Sequence, residues 1–391
     1  MSGWDDVVGL TKKLVGAPSV ADVGEREACE VARQAMDALG YSDVMVDEVG
    51  NVTGRMPGDG NSSGCVVFDG HVDTVTVGER GNWASDPFVA TERDGRLYGR
   101  GTADMKGAIA AMIVGVSRLR DDPAPCDVIV SVSLAEELVE GYALGKVLDR
   151  YSPRAVVIGE ATNLHLARAQ RGRAEIVIET TGVPAHSSTP HLGRNPIRAM
   201  YRIGNLMMSL PMPEDPIVGP AIMEVTDIVS WPFPGLSMIP ERCTATFDRR
   251  TLPGESEEDV LEEIQSLLDA YTQDDLLEGA KASIALDRFT TYTGFQVKAR
   301  NFAPAWKMDD DAPIVRAGLD ALAQSGLVPM LTHYAFCTNG SESAGRRGIP
   351  TIGFGPGAES EAHRIDESVE IGHLIAAANG YEHLARELVR L

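Results

Sequence analysis

Residues 65–75 read CVVFDGHVDTV. The run from Cys65 to Phe68 is apolar throughout, as expected of a strand buried on both faces of a parallel sheet, and it leads to His71 with Asp73 two residues later. Two further segments repeat the plan: VIVSVSL (128–134) runs towards Glu136 and Glu137, and AVVIG (155–159) runs into Glu160. Ligands of open α/β sheets gather outside the carboxyl ends of the strands, so three separate segments would deliver His, Glu-Glu and Glu to one edge. Two more candidate ligands are Asp104 in GRGTADMKG and His363 in EAHRIDE. Any one of these residues alone reads as a surface charge or a satisfied core histidine. Together, His71, Asp104, Glu137, Glu160 and His363 read as a metal site.

The donor types narrow the metal. Imidazole and carboxylate suit zinc, with cobalt or manganese as alternatives, whereas a closed structural zinc site would draw on thiolates. The five cysteines, Cys29, Cys65, Cys126, Cys243 and Cys337, show no C-x-x-C spacing. They read as buried or free thiols of a reducing compartment, and their odd number argues against a full disulfide framework.

A chain of 391 residues is long enough for two domains, and 43% hydrophobic residues is ordinary for a soluble globular protein. No segment approaches the roughly 18 uninterrupted apolar residues of a membrane span. The opening MSGWDDVVGL lacks the basic start and apolar stretch of a signal peptide, so the expected location is the cytoplasm. A formal net charge of -22 repels phosphate backbones and anionic membranes, which argues against nucleic acid and membrane partners.

Apolar spacing predicts helices over 5–15 and 24–39, a hairpin over 43–58, and alternating strands and helices to about residue 168. The pattern then changes to strand (172–181), helix (194–209), strands (221–230 and 241–251), helix (256–271) and strand (281–288). This β-α-β-β-α-β order predicts a ferredoxin-like α+β domain inserted into an α/β domain. The domain boundaries expected are 1–170 with 289–391 for the catalytic, metal-binding domain, and 171–288 for the insert. Helix 313–324, strand 348–357 and helix 373–391 would complete a mixed central sheet with helices on both faces. No internal repeat, P-loop, dinucleotide fingerprint or G-x-S-x-G elbow is present.

GHVDT, GRGTADMKG, AEE, GEAT, AHSSTPHLGRNP (185–196) and the AH before the last strand stand in the order of a known family over almost the whole length. The chain resembles the metallopeptidase family of acetylornithine deacetylase, succinyl-diaminopimelate desuccinylase, carboxypeptidase G and aminoacylase. Finer features, CTNGSESAGRRGIPTIGFGPG (337–357) and ERCTATFDRRTLPGE (241–255), resemble the branch linked by name to selenium metabolism, the YgeY type.

The resemblance implies a fold of the zinc-peptidase type and two divalent ions, one held by His71 and Glu160, the other by Glu137 and His363, with Asp104 between them. It implies that Asp73 accepts a hydrogen bond from the far ring nitrogen of His71, and that Glu136 is the general base. It further implies a homodimer through the inserted lid domain, with His186 of a second copy stabilising the oxyanion. Arg250 would hold a substrate carboxylate, although an intradomain ion pair with Asp248 or a nearby Glu is an equal reading, and Asn339 and Ser341 in the TNGSES loop would touch substrate. The loop sequences after His363 and around Ser237 and Asn339 depart from the commoner family pattern, so the substrate stays open. An N-acyl amino acid, a dipeptide or another small C–N compound, aromatic or carbamoyl, all fit. A non-catalytic ligand-binding relative is disfavoured because all five ligands, Asp73 and Glu136 are present.

Overall fold

The computed structural model describes residues 6–271 and 278–391; residue 5, where the first helix was expected to begin, lies outside them. Two compact units divide the chain. The first comprises Met1–Gln170, Arg288–Val297 and Lys307–Leu391, and the second Arg171–Asp287 and Lys298–Trp306.

In the first unit the strand Cys65–His71 lies at the middle of a mixed sheet, parallel to Asp127–Ser133 on one side and to Ala155–Ile158 on the other. Thr351–Gly353 continues the parallel set beyond Ala155–Ile158. The hairpin Ser42–Val46 and Val52–Met56 adds antiparallel strands next to Asp127–Ser133, and Leu166–Gln170 adds one next to Thr351–Gly353. The uninterrupted apolar runs have a direct cause. Val66, Phe68, Val128, Val130 and Val157 face helices Lys106–Ser117 and Ile371–Leu388, while Cys65, Val67, Ile129, Val156 and Ile158 face helix Tyr142–Tyr151. With both faces covered, these strands are mostly apolar; Asp69 and Ser131, which bond each other, are the buried polar exceptions, and charged residues gather where the strands end.

The second unit has the expected β-α-β-β-α-β order. Its antiparallel strands run Ile222–Trp231, Arg242–Thr251, Gly172–Thr181, Gly279–Ile284 across the sheet. Helices Pro196–Met208 and Glu257–Tyr271 cover one face, packing Met200, Ile203, Val260 and Ile264 on Ile176, Ile178 and Phe247. Along Gly172–Thr181 burial alternates residue by residue, the signature of a sheet with one covered face. Ile222–Trp231 is an edge strand, and it leaves Ile222, Val225, Ile228, Val229 and Trp231 exposed, with Phe233 and Leu236 beyond it.

One boundary differs from expectation. Arg288–Val297 returns to the first unit, but Lys298–Trp306 goes back to the second, because Phe302 and Ala303 pair with Ala174 and Arg173. A two-residue pairing is too short to show as a sequence pattern. Among the described residues no helix is long and apolar enough to cross a membrane.

All five cysteines are free and buried. Burial pushes the Cys29 and Cys65 thiols up to about 12 and raises Cys126 and Cys243 as well. A thiolate is the reactive form, so these groups are inert while the fold is intact. Ellman's reagent at pH 8 is expected to find essentially no reactive thiol in the native protein and all five after unfolding in guanidinium; rapid labelling of the native chain would contradict the buried positions.

Candidate metal centre

The parallel strands end together, and the chain places its acids just past those ends. His71 is the last residue of its strand, Glu136 and Glu137 follow the end of Asp127–Ser133, and Glu160 follows Ala155–Ile158. Asp104 comes from the turn before helix Lys106–Ser117, and His363 from the loop before strand Ser368–Glu370. Gly355 seats Glu160 closely. A Cβ at Gly355 would lie 2.3 Å from the Gly159 carbonyl oxygen and 2.5 Å from that of Glu160, so only glycine lets the two backbones meet.

Asp104 sits between the two histidines, one carboxylate oxygen for each. His71 Nε2 lies 3.0 Å from its Oδ1, and His363 Nε2 lies 3.3 Å from its Oδ2. His71 Nε2 is also 3.3 Å from Glu160 Oε1, and His363 Nε2 is 3.1 Å from Glu137 Oε1. The ligand atoms of His71, Asp104 and Glu137 lie within 4.8 Å of one another, as do those of His71, Glu136 and Glu160. Glu136 is buried and its Oε1 has no hydrogen-bond partner among the described residues.

Asp73 holds this arrangement from behind. The nearest acceptor to His71 Nδ1 is the Asp73 backbone oxygen at 3.0 Å, with the Asp73 carboxylate at 3.5 Å. The expected bond to the carboxylate is thus the longer of the two, because that carboxylate accepts the backbone N–H groups of Glu136 (3.2 Å) and Glu137 (3.0 Å). One aspartate therefore orients both the imidazole and the Glu-Glu turn. Donation from Nδ1 leaves the Nε2 lone pair of a neutral His71 aimed at the carboxylates.

The electrostatics call for a cation. Hydrogen bonds to Asp104 and Glu137 lift His363 to about 10. Burial opposes charge on His71, yet Glu160, Asp104 and Asp73 raise it well above its ordinary value. Burial pushes Glu160 up to about 7 and raises Glu136 and Glu137, with neighbouring carboxylates adding to each. These groups shift towards holding a proton, which is how crowded acids limit their repulsion, whereas, against burial, hydrogen bonds from both histidines hold Asp104 below the usual carboxylate range. Divalent ions offer the same compensation and leave the imidazoles neutral, and the all-nitrogen-and-oxygen donor set fits them.

His186 and Arg250 belong to the second unit. Exposed His186 accepts at Nδ1 from the Ser188 backbone N–H (3.1 Å), with the Ser188 hydroxyl at 2.7 Å, so a neutral ring carries its proton on Nε2. Arg250 bonds Asp248 through Nε at 2.8 Å, and Asp248 also takes Arg173 Nε at 2.9 Å. The intradomain pair anticipated for Arg250 is formed.

The sequence model of peptidase family M20/M25/M40 matches residues 67–387. The chain belongs to that family. It is a hydrolase of the metallopeptidase class. It is 31% identical to the protein YgeY of Escherichia coli K12 over 388 residues, covering 96% of this chain and 93% of that one. It is 29% identical to the succinyl-diaminopimelate desuccinylase of Rhodospirillum centenum over 396 residues, covering 95% and 94%. The Bacillus subtilis YXEP protein, described as a dinuclear metal binding peptidase of the M20 family, superposes with a TM-score of 0.72 at 14% identity over 100% of this chain and 99% of its own, a likeness of fold.

Two residues expected at the substrate are buried in this M20 chain. Asn339 is buried, and its amide is spent: Nδ2 donates to Asp69 (2.9 Å) and Ser133 (3.0 Å), while Oδ1 accepts from Gly141 N–H (2.7 Å). Ser341 is equally buried, beside Gly141. The demand comes from Asp69, a fully buried carboxylate on the central strand that burial raises to about 6 and that Ser131, Ser133 and Asn339 together satisfy. Asp69, Arg100 and Glu367 give no local signal of these roles, although each stands inside a short motif, because their partners are distant in the chain. Asn339→Ala is expected to lower folding stability by at least about 1–3 kcal/mol, leaving the buried Asp69 carboxylate short of a donor. KM for an accepted substrate should barely change. Denaturant unfolding and steady-state kinetics check this; a raised KM with unaltered stability would restore Asn339 to the substrate.

Proposed function

We propose that this M20 chain is a di-metal amidohydrolase that removes an acyl group from a small N-acyl amino acid. The observation that carries the proposal is the Asp104 carboxylate, with one oxygen facing each histidine. His71 and Glu160 would hold one ion, Glu137 and His363 the other, and Asp104 both; zinc is the first choice, with cobalt or manganese accepted. Bound there, the ions acidify a water and polarise the scissile carbonyl.

Glu136, buried and with one carboxylate oxygen unpartnered, is the base. It takes a proton from the water as the oxygen attacks the carbonyl carbon, then delivers it to the nitrogen as the C–N bond breaks, giving a carboxylate and a free amine. His186, fixed by Ser188 with its proton on Nε2, donates to the carbonyl oxygen as that atom gains charge. A second copy of the chain supplies this histidine, pairing through the inserted unit; the exposed apolar edge strand Ile222–Trp231 supports such a contact.

A small substrate is the reading that the family's deacylases favour. Arg250 binds a free carboxylate on it, with Asp248 steadying the guanidinium through Nε at 2.8 Å. The resemblance to desuccinylases supports the acyl side of this reading. Five free cysteines support work in a reducing compartment, the cytoplasm.

The test begins with metal content and a panel of N-acyl amino acids and dipeptides. Two ions per chain and turnover abolished by chelators are expected. Glu136→Gln should keep both ions and lose at least about a hundredfold in kcat, in line with general-base contributions, whereas Glu137→Gln should lose an ion. A Glu136→Gln chain that stays active, or that sheds metal as Glu137→Gln does, would make Glu136 a ligand or a bystander.

Subunit mixing tests the second copy. Dimers reassembled from inactive Glu136→Gln and inactive His186→Ala chains should regain part of the activity, since one intact site then combines both residues. Verified exchange without recovery would place His186 in its own chain's site or outside the chemistry.

A further inference from the structure

Asp104 reaches the centre from a turn, Gly99 to Met105, that no sheet ladder holds in place. Yet its two oxygens must meet two histidines at once. The side chain that fixes this turn is Glu367. It is fully buried, and its two oxygens take four donors. Oε1 accepts the backbone N–H groups of Ala103 (2.8 Å) and Asp104 (3.0 Å). Oε2 accepts Gly101 N–H (2.9 Å) and Arg100 Nη1 (2.7 Å). The Glu367 backbone oxygen accepts Gly99 N–H at 3.0 Å, so side chain and main chain grip the same turn.

From the placement of these bonds we infer that Glu367 is a positioning residue for metal binding, setting Asp104 between the two histidines. This rests on the di-metal reading above. A buried ion pair is poor value for stability alone, since apolar packing of the same volume does as well or better. Here every bond of the Glu367 side chain goes to a residue within four positions of Asp104. Glu367 also follows His363 by four residues, so one short segment carries the second histidine and the clamp on the shared carboxylate. Movement of either is passed to the other. Arg100 closes the clamp and is itself anchored on the Thr76 carbonyl at 3.2 Å.

The experiment uses the full chain, stripped of metal and titrated with Co²⁺, whose visible absorption reports both affinity and coordination geometry. Glu367→Gln preserves shape but puts an amide where a carboxylate oxygen met N–H donors. Its Co²⁺ affinity should fall about tenfold or more, the usual effect of losing a partner behind a ligand, with an altered spectrum. Glu367→Asp, still charged but one methylene short, should fall between. Hydrogen exchange of the metal-free protein supplies a readout that needs no ion: the peptide over residues 99–105 should exchange faster in Glu367→Gln while the Cys65–His71 strand stays protected. If Glu367→Gln fails to fold, Glu367→Asp and Arg100→Lys carry the same measurements. Wild-type affinity and spectrum in a folded variant, or unchanged exchange over 99–105, would overturn the inference. A wild-type chain that binds no Co²⁺ would instead defeat the di-metal reading, and the exchange data would still decide whether Glu367 holds the turn.

Discussion

Mutual repulsion among buried carboxylates is the constraint on which the first unit turns. Asp73, Asp104, Glu136, Glu137 and Glu160 converge where the solvent is largely shut out. Two like charges 4 Å apart cost about 4 kcal/mol at an effective dielectric constant near 20. A few such pairs rival the whole net stability of a domain, roughly 5–15 kcal/mol. Only a stiff scaffold can hold acids in that relation, and this one is stiff because its central strands are packed on both faces. The repulsion is also the source of function, since it is relieved by protons or by cations and by little else.

The scaffold meets the constraint with fixed dipoles as well as with packing. Asp73 is neutralised in part by two backbone N–H groups, Asp69 by two hydroxyls and an amide, and Glu367 by three N–H groups and a guanidinium. None of these three is spent on the shared face between the histidines. They hold in place the strand ends and turns from which the ligands project, and so divide the acids into those that are satisfied by protein and those left for an ion. Glu136 stands apart from both classes: one of its oxygens meets no donor among the described residues, as its proposed role as base requires.

What was legible in the sequence follows the same division. Both-faced apolar runs revealed the parallel strands, because burial on two sides fills most strand positions with apolar side chains. Alternation revealed the inserted unit, because one face of its sheet is open. The candidate ligands were visible because each stands at a strand end or in a short motif. Supporting residues were not visible, because their meaning lies in partners far along the chain: Asn339 meets Asp69 across 270 positions, and Glu367 meets Ala103 across 264. Read locally, Asn339 belonged to a polar loop and invited a substrate. Its actual task was set by a buried carboxylate whose need a one-dimensional pattern does not express.

The two histidines are not equivalent, and the difference follows from where each is rooted. His71 ends the central strand, and its side chain is 1% exposed; His363 stands on a loop, with 55% exposed. The backbone at His363 is left-handed, with φ of 62°, a conformation that side chains with a Cβ rarely adopt, so the loop is shaped to present this ring. Burial stiffens the His71–Glu160 half and strips it of water, which strengthens every interaction there. Exposure leaves the His363 ring of the other half open to solvent. A hydrolytic centre needs both properties, and Asp104 joins them by giving one oxygen to each half.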